Sequence, residues 1–307
     1  MYYPFLRGKQ FELLALREFS EIYSDNCKIF PIIEPVSDSF NSLKIACKKF
    51  NDNKFNYAIV LNPQVGGKKG KIKDIESELE EYLHQDNCYV AFIISNDLTI
   101  TKVLEHIKSK SYNNVLIICD RSVDSSSSVL DELFSLDCVK KVLIDDNNRN
   151  LKRKLKLKEV IRFDDKFKPQ NKNADYLAIP EEKFTEEHSY YSDENFSGFA
   201  DYTVLASEYT EGGMLPYAVA IHLTYKKNDT EIWIRHFVSD TNDDRSNIQG
   251  KFSEAAGKAV SFFRAIPYTN SAIDELNNYY DNGQYPGLGV LKKISIKSHL
   301  ELVNSLL

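Results

Sequence analysis

The stretch from Tyr57 to Ile94 decides the fold, because it combines a strand, a helix and a second strand in close succession. Tyr57-Ala-Ile-Val-Leu61 and Tyr89-Val-Ala-Phe-Ile-Ile94 are short and apolar almost throughout. Between them, Lys73–Leu83 carries apolar residues at the spacing of an amphipathic helix. Strands that are apolar on both faces are typical of parallel sheets covered by helices. The stretch therefore predicts one strand-helix-strand unit.

The same unit recurs in both directions along the chain. The other strand-like runs are Pro4–Arg7, Ile29–Ile33, Val115–Cys119, Lys141–Ile144, Glu159–Phe163 and Gly198–Thr203. Helical patterns fall between them at Phe11–Tyr23, Ser39–Phe50, Ile100–Ile107, Val129–Leu136 and Asn147–Leu157. Eight strands in units of about 30 residues predict an α/β fold, a TIM-like (β/α)8 barrel. An open doubly wound sheet is the alternative.

Two parts of the chain depart from this alternation. Residues 168–197 replace a short connection with a polar and aromatic stretch, which predicts a lid or an ordered insert. After the eighth strand, Tyr217–Tyr225 and Glu231–Ser239 flank a polar turn and predict a β-hairpin. Further helices are predicted at Ile248–Arg264, Ser271–Tyr280 and Ser298–Leu307. We therefore expect a single barrel domain over 1–307, with a hairpin and helical elaboration at about 215–307.

The composition of the chain limits the classes of protein to which it can belong. The 307 residues are 42% hydrophobic and 27% charged, which suits a chain with a buried core and excludes a disordered or fibrous protein. No apolar run approaches the ~20 residues of a membrane-spanning helix, so we expect a cytoplasmic protein without membrane contact. A net charge of −6 confines any nucleic-acid contact to local basic patches. Five cysteines without a C-x-x-C pair predict reduced thiols.

Several motifs are similar to those of a known family. The run Met1–Glu18, together with Pro31-Ile-Ile-Glu-Pro-Val36, resembles the opening of the beta family of uncharacterised bacterial and phage proteins. Gly198-Phe-Ala-Asp-Tyr-Thr203, Tyr217–Tyr225 and His236-Phe-Val-Ser-Asp240 resemble motifs of one bacterial branch of that family. The resemblance implies a barrel-like fold and an association with mobile-element or antiviral gene neighbourhoods. It implies no particular reaction and supplies no catalytic residues.

Polar side chains follow the predicted strands at their carboxyl ends, where barrel enzymes keep their sites. These positions are Lys9, Glu34, Asn62, Ser95, Asp120 with Arg121, Asp145 with Asp146, Asp164 and Asp201. Most are acidic, and crowded carboxylates need a divalent cation, a basic partner or bound protons to offset their repulsion. Because Mg²⁺ takes oxygen ligands, Asp120, Asp145 and Asp201 are candidate ligands of Mg²⁺ or another divalent cation.

Some of these residues also have a structural explanation. Asp, Asn and Ser at strand ends are preferred N-caps of the helix that follows. Capping accounts for Asn62, Ser95 and Asp120. Glu34 is different, because the proline after it imposes an extended conformation and directs its carboxylate toward the barrel axis. We expect Glu34 to be a catalytic or stabilising residue of the barrel mouth, with Lys9 or Arg162 as its cationic neighbour and fellow catalytic candidate.

The hairpin carries two histidines whose facing depends on the register of its strands. A two-residue turn at Asn228-Asp229 would place His222 opposite Arg235, on the more accessible face. His222 is then a candidate general acid or base, and His236 faces the core.

Two basic segments are candidate contacts for phosphate or nucleic acid. Gln64–Lys71 combines glycines with the lysines of Lys68–Lys71, and Lys152–Lys158 places five basic residues within seven positions. The first lacks the spacing of a Walker loop and is equally typical of a basic surface turn. The second is also typical of a solvated helix face.

Two functions of different classes remain open, and with them the question of whether the chain is an enzyme. The family resemblance alone implies a bacterial cytoplasmic barrel protein that acts with a protein partner in defence against foreign DNA. The alternative is a stand-alone metal-dependent phosphoester hydrolase or nuclease, with Glu34 and the aspartates at the metal and His222 as general acid or base. Carboxylate oxygens that converge at the mouth favour the hydrolase, and carboxylates turned into helix caps favour the binding protein.

Overall fold

The fold is a closed barrel of parallel strands, as the alternation of strands and helices predicts. The computed structural model describes residues 1–24, 27–145, 148–155, 157–212 and 215–307, with the side chain of Arg149 set aside. The first barrel strands are β1 (Tyr2–Leu6), β2 (Ile32–Ile33), β3 (Tyr57–Val60), β4 (Cys88–Ile94), β5 (Val115–Cys119), β6 (Val139–Ile144) and β7 (Glu159–Phe163). After β8 (Glu181–Thr185), which lies outside the barrel, β9 (Gly198–Asp201) pairs with both β7 and β1 and closes it. The structure therefore excludes the open sheet.

Helices cover the outside of the barrel. They are α1 (Gln10–Ile22), α2 (Asn41–Asp52), α3 (Ile72–Leu83), α4 (Asp97–Lys108), α5 (Ser128–Ser135) and α6 (Arg149–Lys154). Each of the first five buries one apolar stripe, for example Leu16 and Phe19 in α1, against outward-facing strand residues. Two-sided burial explains why the strand sequences are apolar throughout.

The interior of the barrel is filled by side chains. Tyr3, Phe5, Ile32, Val60, Leu116, Ile118, Leu143 and Ile161 belong to one buried cluster inside the strands. At the end where the strands begin, the Lys141 ammonium lies 5.4 to 5.7 Å from the ring centroids of Tyr3, Phe30 and Tyr89 and pairs with Glu159. Because this end is filled, the accessible space of the barrel lies at the carboxyl ends of the strands.

The polar stretch 168–197 is an ordered insert. It forms a 3-10 helix (Asn173–Ala178), the strand β8 and the short helix α7 (Glu187–Tyr190). The predicted hairpin is present as β10 (Ala220–Lys226) and β11 (Ile232–Val238), and β8 adds to it as a third, antiparallel strand. The insert and the hairpin therefore form one small sheet beside the barrel.

Three helices end the chain: α8 (Ile248–Ala265), α9 (Ser271–Asp281) and α10 (Leu288–Leu306). The last begins well before the predicted start at Ser298, and it packs against both α1 and β10. His299 of α10 connects the small sheet to the barrel. Its ring nitrogens lie 3.0 Å from the Thr224 hydroxyl of β10 and 3.2 Å from the Tyr2 hydroxyl of β1.

Two expectations from composition concern membranes and thiols. None of the helices within the described residues combines the length and the apolar character that crossing a membrane requires. The five cysteines, all in described parts of the chain, are free thiols as expected.

Candidate functional site

A cavity of about 350 Å³ opens at the carboxyl ends of the barrel strands. Its floor is aromatic, since the rings of Phe5, Phe163 and Tyr202 lie with their centroids 5.2 to 5.7 Å apart. Its polar rim is formed by Arg7, Gln64, Asp120, Arg121, Asp145, Asp164, Asp165 and Ser207. A cavity of this size with an apolar floor and a few polar groups is typical of a ligand site. We call this cavity the mouth.

The pleat of the strands explains which side chains reach the mouth. Arg7 lies two residues after Phe5, and Asp120 lies two residues after Ile118; both Phe5 and Ile118 are inside the barrel. Successive strand residues point to opposite faces, so a residue two positions beyond an inward one also points inward. The same spacing follows inward residues at Glu34, Asp145, Asp165 and Tyr202.

Glu34 lies beneath the rim and is completely buried. One of its oxygens pairs with Nη1 of Arg7, and the other accepts a hydrogen bond of 2.6 Å from the backbone amide of Gln64. Arg7 also donates from Nη2 to the Ser207 carbonyl at 2.7 Å, and its guanidinium lies 5.2 and 5.5 Å from the ring centroids of Phe5 and Tyr202. Glu34 thus has the cationic neighbour that its position predicts.

The identity of that neighbour differs from the prediction. Lys9 was expected to pair with Glu34, but its ammonium donates to the Thr210 carbonyl at 2.8 Å and lies over the ring of Tyr209. The reason is that β1 ends at Leu6 and Arg7 is the last residue with inward facing, whereas Lys9 already precedes the first turn of α1. Lys9 therefore holds the segment after β9 beside the mouth.

Arg162 does not reach Glu34 either. It follows the inward residue Ile161 directly, so the pleat directs it to the outer face of β7. There it forms ion pairs with Asp164 at 2.8 Å and Glu194 at 2.7 Å. The expectation that Arg162 reaches across the mouth to Glu34 is therefore wrong, and Arg162 instead anchors the insert to the barrel. Asp164 does line the mouth, as its place at the end of β7 predicts.

Asp120 and Asp145 both line the mouth. Asp145 accepts a hydrogen bond of 2.6 Å from Nε of Arg121, whose side chain is 76% exposed. Asp120 is exposed and accepts hydrogen bonds from the amide and the hydroxyl of Ser122, at 2.9 and 2.7 Å. Asp120 therefore shapes a turn and does not cap the helix that follows, because the N-cap of α5 is Ser127; the capping expectation for Asp120 is wrong. Asp146 lies outside the described residues.

Asp201 is not in the mouth. It follows the inward residue Ala200 and so faces the helical layer, where it is buried and accepts hydrogen bonds from the Tyr2 hydroxyl and from the Thr203 amide. Burial raises the pKa of Asp201 to about 6. The structure therefore separates Asp201 from the other two candidate metal ligands, and the described residues contain no group of three or more His, Cys, Asp or Glu side chains placed to hold a metal ion.

The hairpin has a different register from the one predicted. His222 lies directly opposite His236 and not opposite Arg235. The turn is longer than two residues because the Asn228 side-chain oxygen accepts hydrogen bonds from two backbone amides, among them that of Glu231 at 2.9 Å. His222 is consequently half-buried and lies outside the mouth, away from the carboxylates it was expected to serve.

The second basic segment is largely engaged in internal contacts, whereas the first keeps two exposed lysines. Lys68 is buried with its ammonium 4.5 Å from the ring centroid of Phe40, while Lys69 and Lys71 are exposed. In the second segment, Lys154 pairs with Asp131, and Lys158 donates to the Leu136 carbonyl. Lys152 lies over the Phe196 ring, and Lys156 lies outside the described residues.

Three residues of the mouth did not emerge from the sequence: Arg7, Asp165 and Tyr202. Each lies two positions after an inward-facing strand residue, so strict counting of the two-residue period would have found them. The sequence prediction took the residue just past each strand end, and so it selected Asp164 and Asp201, which are adjacent to Asp165 and Tyr202. Burial raises the pKa of Tyr202, so its hydroxyl stays protonated at neutral pH.

A comparison with known proteins finds no matching family model, no matching curated protein and no matching solved structure. The fold and the site define a TIM-like barrel with an aromatic floor and an acidic rim at its mouth.

Proposed function

We propose that this chain is a recognition protein that acts with a protein partner and receives a basic side chain of that partner in its mouth. The setting, defence against foreign DNA in the bacterial cytoplasm, rests on the resemblance of Met1–Glu18 and Gly198–Thr203 to the beta family. The basic group is inferred from the charges and rings of the mouth.

The proposal rests on one observation: above its aromatic floor, the mouth has more negative than positive side chains. Both arginines of the mouth already pair with a carboxylate. Asp120 and Asp165 are exposed at the rim and have no cationic partner in the part of the chain that the structure describes. A guanidinium or ammonium group in the mouth contacts both carboxylates and the faces of the rings, and the ring contact alone contributes ~1 kcal/mol.

Arg7 supports the choice of a cation, because its guanidinium already lies against two of the three floor rings. The floor therefore already holds one cation at ring-contact distance, and Glu34 balances the charge of that cation. The neutral Tyr202 hydroxyl adds a polar atom that can accept a hydrogen bond from an entering donor.

The alternative, a metal-dependent phosphoester hydrolase, does not fit the residues present. Such a site needs several oxygen ligands that converge on one point. Here Glu34 is neutralised by Arg7, Asp145 binds Arg121, and Asp201 is on the outer face of the barrel wall. We therefore derive no metal-dependent step from this geometry.

The proposal is tested with N-acetyl-arginine amide as the probe, titrated into the full chain by isothermal calorimetry at low salt. We expect saturable binding of this probe and no binding of N-acetyl-glutamate amide. Asp120→Asn should weaken binding about threefold, since it removes one carboxylate near the cation.

Asp124 provides a matched control. Like Asp120, it is exposed and accepts hydrogen bonds from the amide and hydroxyl of the serine two residues later, but it lies outside the mouth. Asp124→Asn should leave the affinity unchanged. Equal binding of the acidic probe, or equal effects of the two substitutions, would contradict the proposal. A Mg²⁺-dependent rise in melting temperature that Asp120→Asn abolishes would favour the hydrolase instead.

A further inference from the structure

A second cavity, of about 380 Å³, lies beside the mouth and does not belong to it. Phe167, the residue before the insert, and Tyr176 of the insert line this second cavity, together with His222 of β10 and Leu291 and Ser295 of α10. The segment after β9 separates the two cavities, because residues 204–206 line this one while Tyr202 and Ser207 line the mouth. Most of the lining is apolar, so the few polar atoms determine what the cavity can bind.

His222 is the central polar group of this second cavity. Its ring lies 5.2 Å from that of Phe167 and 4.7 Å from that of Tyr176, centroid to centroid. Its Nδ1 atom lies 2.7 Å from Nδ1 of His236, a distance that requires a hydrogen on one nitrogen and a lone pair on the other. The other ring nitrogen, Nε2, has no hydrogen-bond partner within the described residues.

The surroundings of His236 decide which nitrogen carries the hydrogen. The His236 side chain is 1% exposed, and its Nε2 has no hydrogen-bond partner among the described residues. A carboxylate oxygen of Glu182 lies 3.8 Å away and acts on Nε2 through its charge alone. Glu182 also forms an ion pair of 2.7 Å with Lys168. A carboxylate favours a hydrogen over a lone pair on the nearest nitrogen, so His236 carries its hydrogen on Nε2 and presents a lone pair at Nδ1.

The tautomer of His222 follows from that of His236. His222 must then donate from Nδ1 to His236, which leaves Nε2 of His222 without a hydrogen. Burial lowers the pKa of His222 to about 3 and that of His236 to about 4, so both rings are neutral at physiological pH. His222 therefore keeps one fixed hydrogen-bond acceptor among the aromatic side chains of the cavity.

We propose that this cavity is a second binding site, for a small aromatic molecule that carries one hydroxyl or N–H donor. His222 Nε2 accepts the hydrogen bond, and the rings of Phe167 and Tyr176 contact the aromatic body of the ligand. The volume of about 380 Å³ admits one or two fused rings. A site built around a fixed acceptor discriminates against the same ring without a donor, because the acceptor is then left unpaired.

The test compares phenol with anisole, which has the same ring but no donor, by ligand-observed NMR on the full chain. Phenol should bind about fivefold more tightly than anisole. His222→Phe keeps the ring volume and removes the acceptor, so phenol should bind this variant no better than anisole does. His84→Phe, on the exposed end of α3, should change neither affinity. Equal binding of both probes to the native chain would overturn the proposal.

A second measurement needs no substitution. The ¹⁵N chemical shifts of His222 should show a bare Nε2 and a protonated Nδ1 in the free chain, and Nε2 should shift when phenol is added. A protonated Nε2 would overturn the proposal, as would an Nε2 signal that phenol leaves unmoved. Asp120→Asn should not affect phenol binding, so failure of the mouth proposal and failure of this one are distinguishable.

Discussion

Replacing Glu34 by Gln removes the negative charge from the Arg7–Glu34 ion pair beneath the rim of the mouth. The glutamine amide keeps an oxygen for the backbone amide of Gln64 but no longer neutralises Arg7. The Arg7 side chain is only 16% exposed, so its guanidinium becomes a largely buried charge without a counter-ion. Breaking a buried pair in this way costs ~3 to 5 kcal/mol.

The lower end of that range applies here. Arg7 keeps its hydrogen bond to the Ser207 carbonyl and its contacts with the rings of Phe5 and Tyr202. We therefore expect Glu34→Gln to lower the free energy of unfolding by ~3 kcal/mol. The double variant Arg7→Gln with Glu34→Gln should lose ~2 kcal/mol less free energy of unfolding than the two single variants lose together. In the double variant neither charge is left buried without its partner.

The assay is urea unfolding followed by far-ultraviolet circular dichroism, with the four chains of the cycle measured together. Glu78→Gln, which breaks the exposed pair with Lys44, serves as the control and should leave the midpoint unchanged. A Glu34→Gln variant as stable as the native chain, or more stable, would refute the ion-pair argument. It would indicate instead that Glu34 is held at a stability cost, as functional carboxylates often are.

Three further outcomes follow from the fold. Burial raises the pKa of Asp201 from 3.8 to about 6, so its contribution of ~3 kcal/mol is complete below pH 4 and lost as pH rises through 6. In urea melts at different pH values, the stability of Asp201→Asn relative to the native chain should increase as the pH rises from 4 to above 6. A stability difference that does not change with pH would contradict this expectation. Gly66 has φ +76° and a Cβ there would lie 2.5 Å from the Val36 carbonyl, so Gly66→Ala should cost ~2 kcal/mol or more in the same melts; an unchanged midpoint would contradict this. A thiol reagent should label the native chain slowly, because three of its five cysteines are buried, and should titrate all five in denaturant; a persistent disulfide would contradict the free-thiol assignment.

The barrel was predictable because its strands are buried on both faces. A run such as Val115–Cys119 is apolar at every position, and the amphipathic stripe of the helix that follows indicates which layer covers it. β8 was not predictable from such a pattern. Its sequence Glu181-Glu-Lys-Phe-Thr185 is charged at its first three positions, because the strand lies at the edge of a small sheet and pairs only with β11.

The start of α10 escaped prediction for the opposite reason. The helix is buried around most of its circumference, and even Lys293 and Lys297 are buried, in ion pairs with Glu18. Without a polar face there is no periodic stripe to mark its first turns. Its beginning follows Gly287, whose φ of +93° is a backbone feature that a single sequence does not reveal.

The candidate site was predictable in part. The extended conformation imposed by Pro35 correctly predicted that Glu34 has a cationic neighbour at the mouth. Its partner depends on where β1 stops, and one residue of error exchanges an inward side chain for an outward one. That sensitivity explains why Asp201 was misplaced. Arg7 was missed because the sequence prediction selected Lys9, where the chain has already left the strand and reached the start of α1.

The most direct test of the proposed function is to locate a bound basic group by methyl NMR. Ile93 and Ile118 line the mouth, whereas Ile100 is buried on the inner face of α4 and serves as the internal reference. With isoleucine methyls labelled by ¹³C, N-acetyl-arginine amide should shift the Ile93 and Ile118 signals in a saturable way and leave Ile100 unmoved. If N-acetyl-glutamate amide shifts these two signals and the arginine probe does not, the mouth selects anions and the proposed function is wrong.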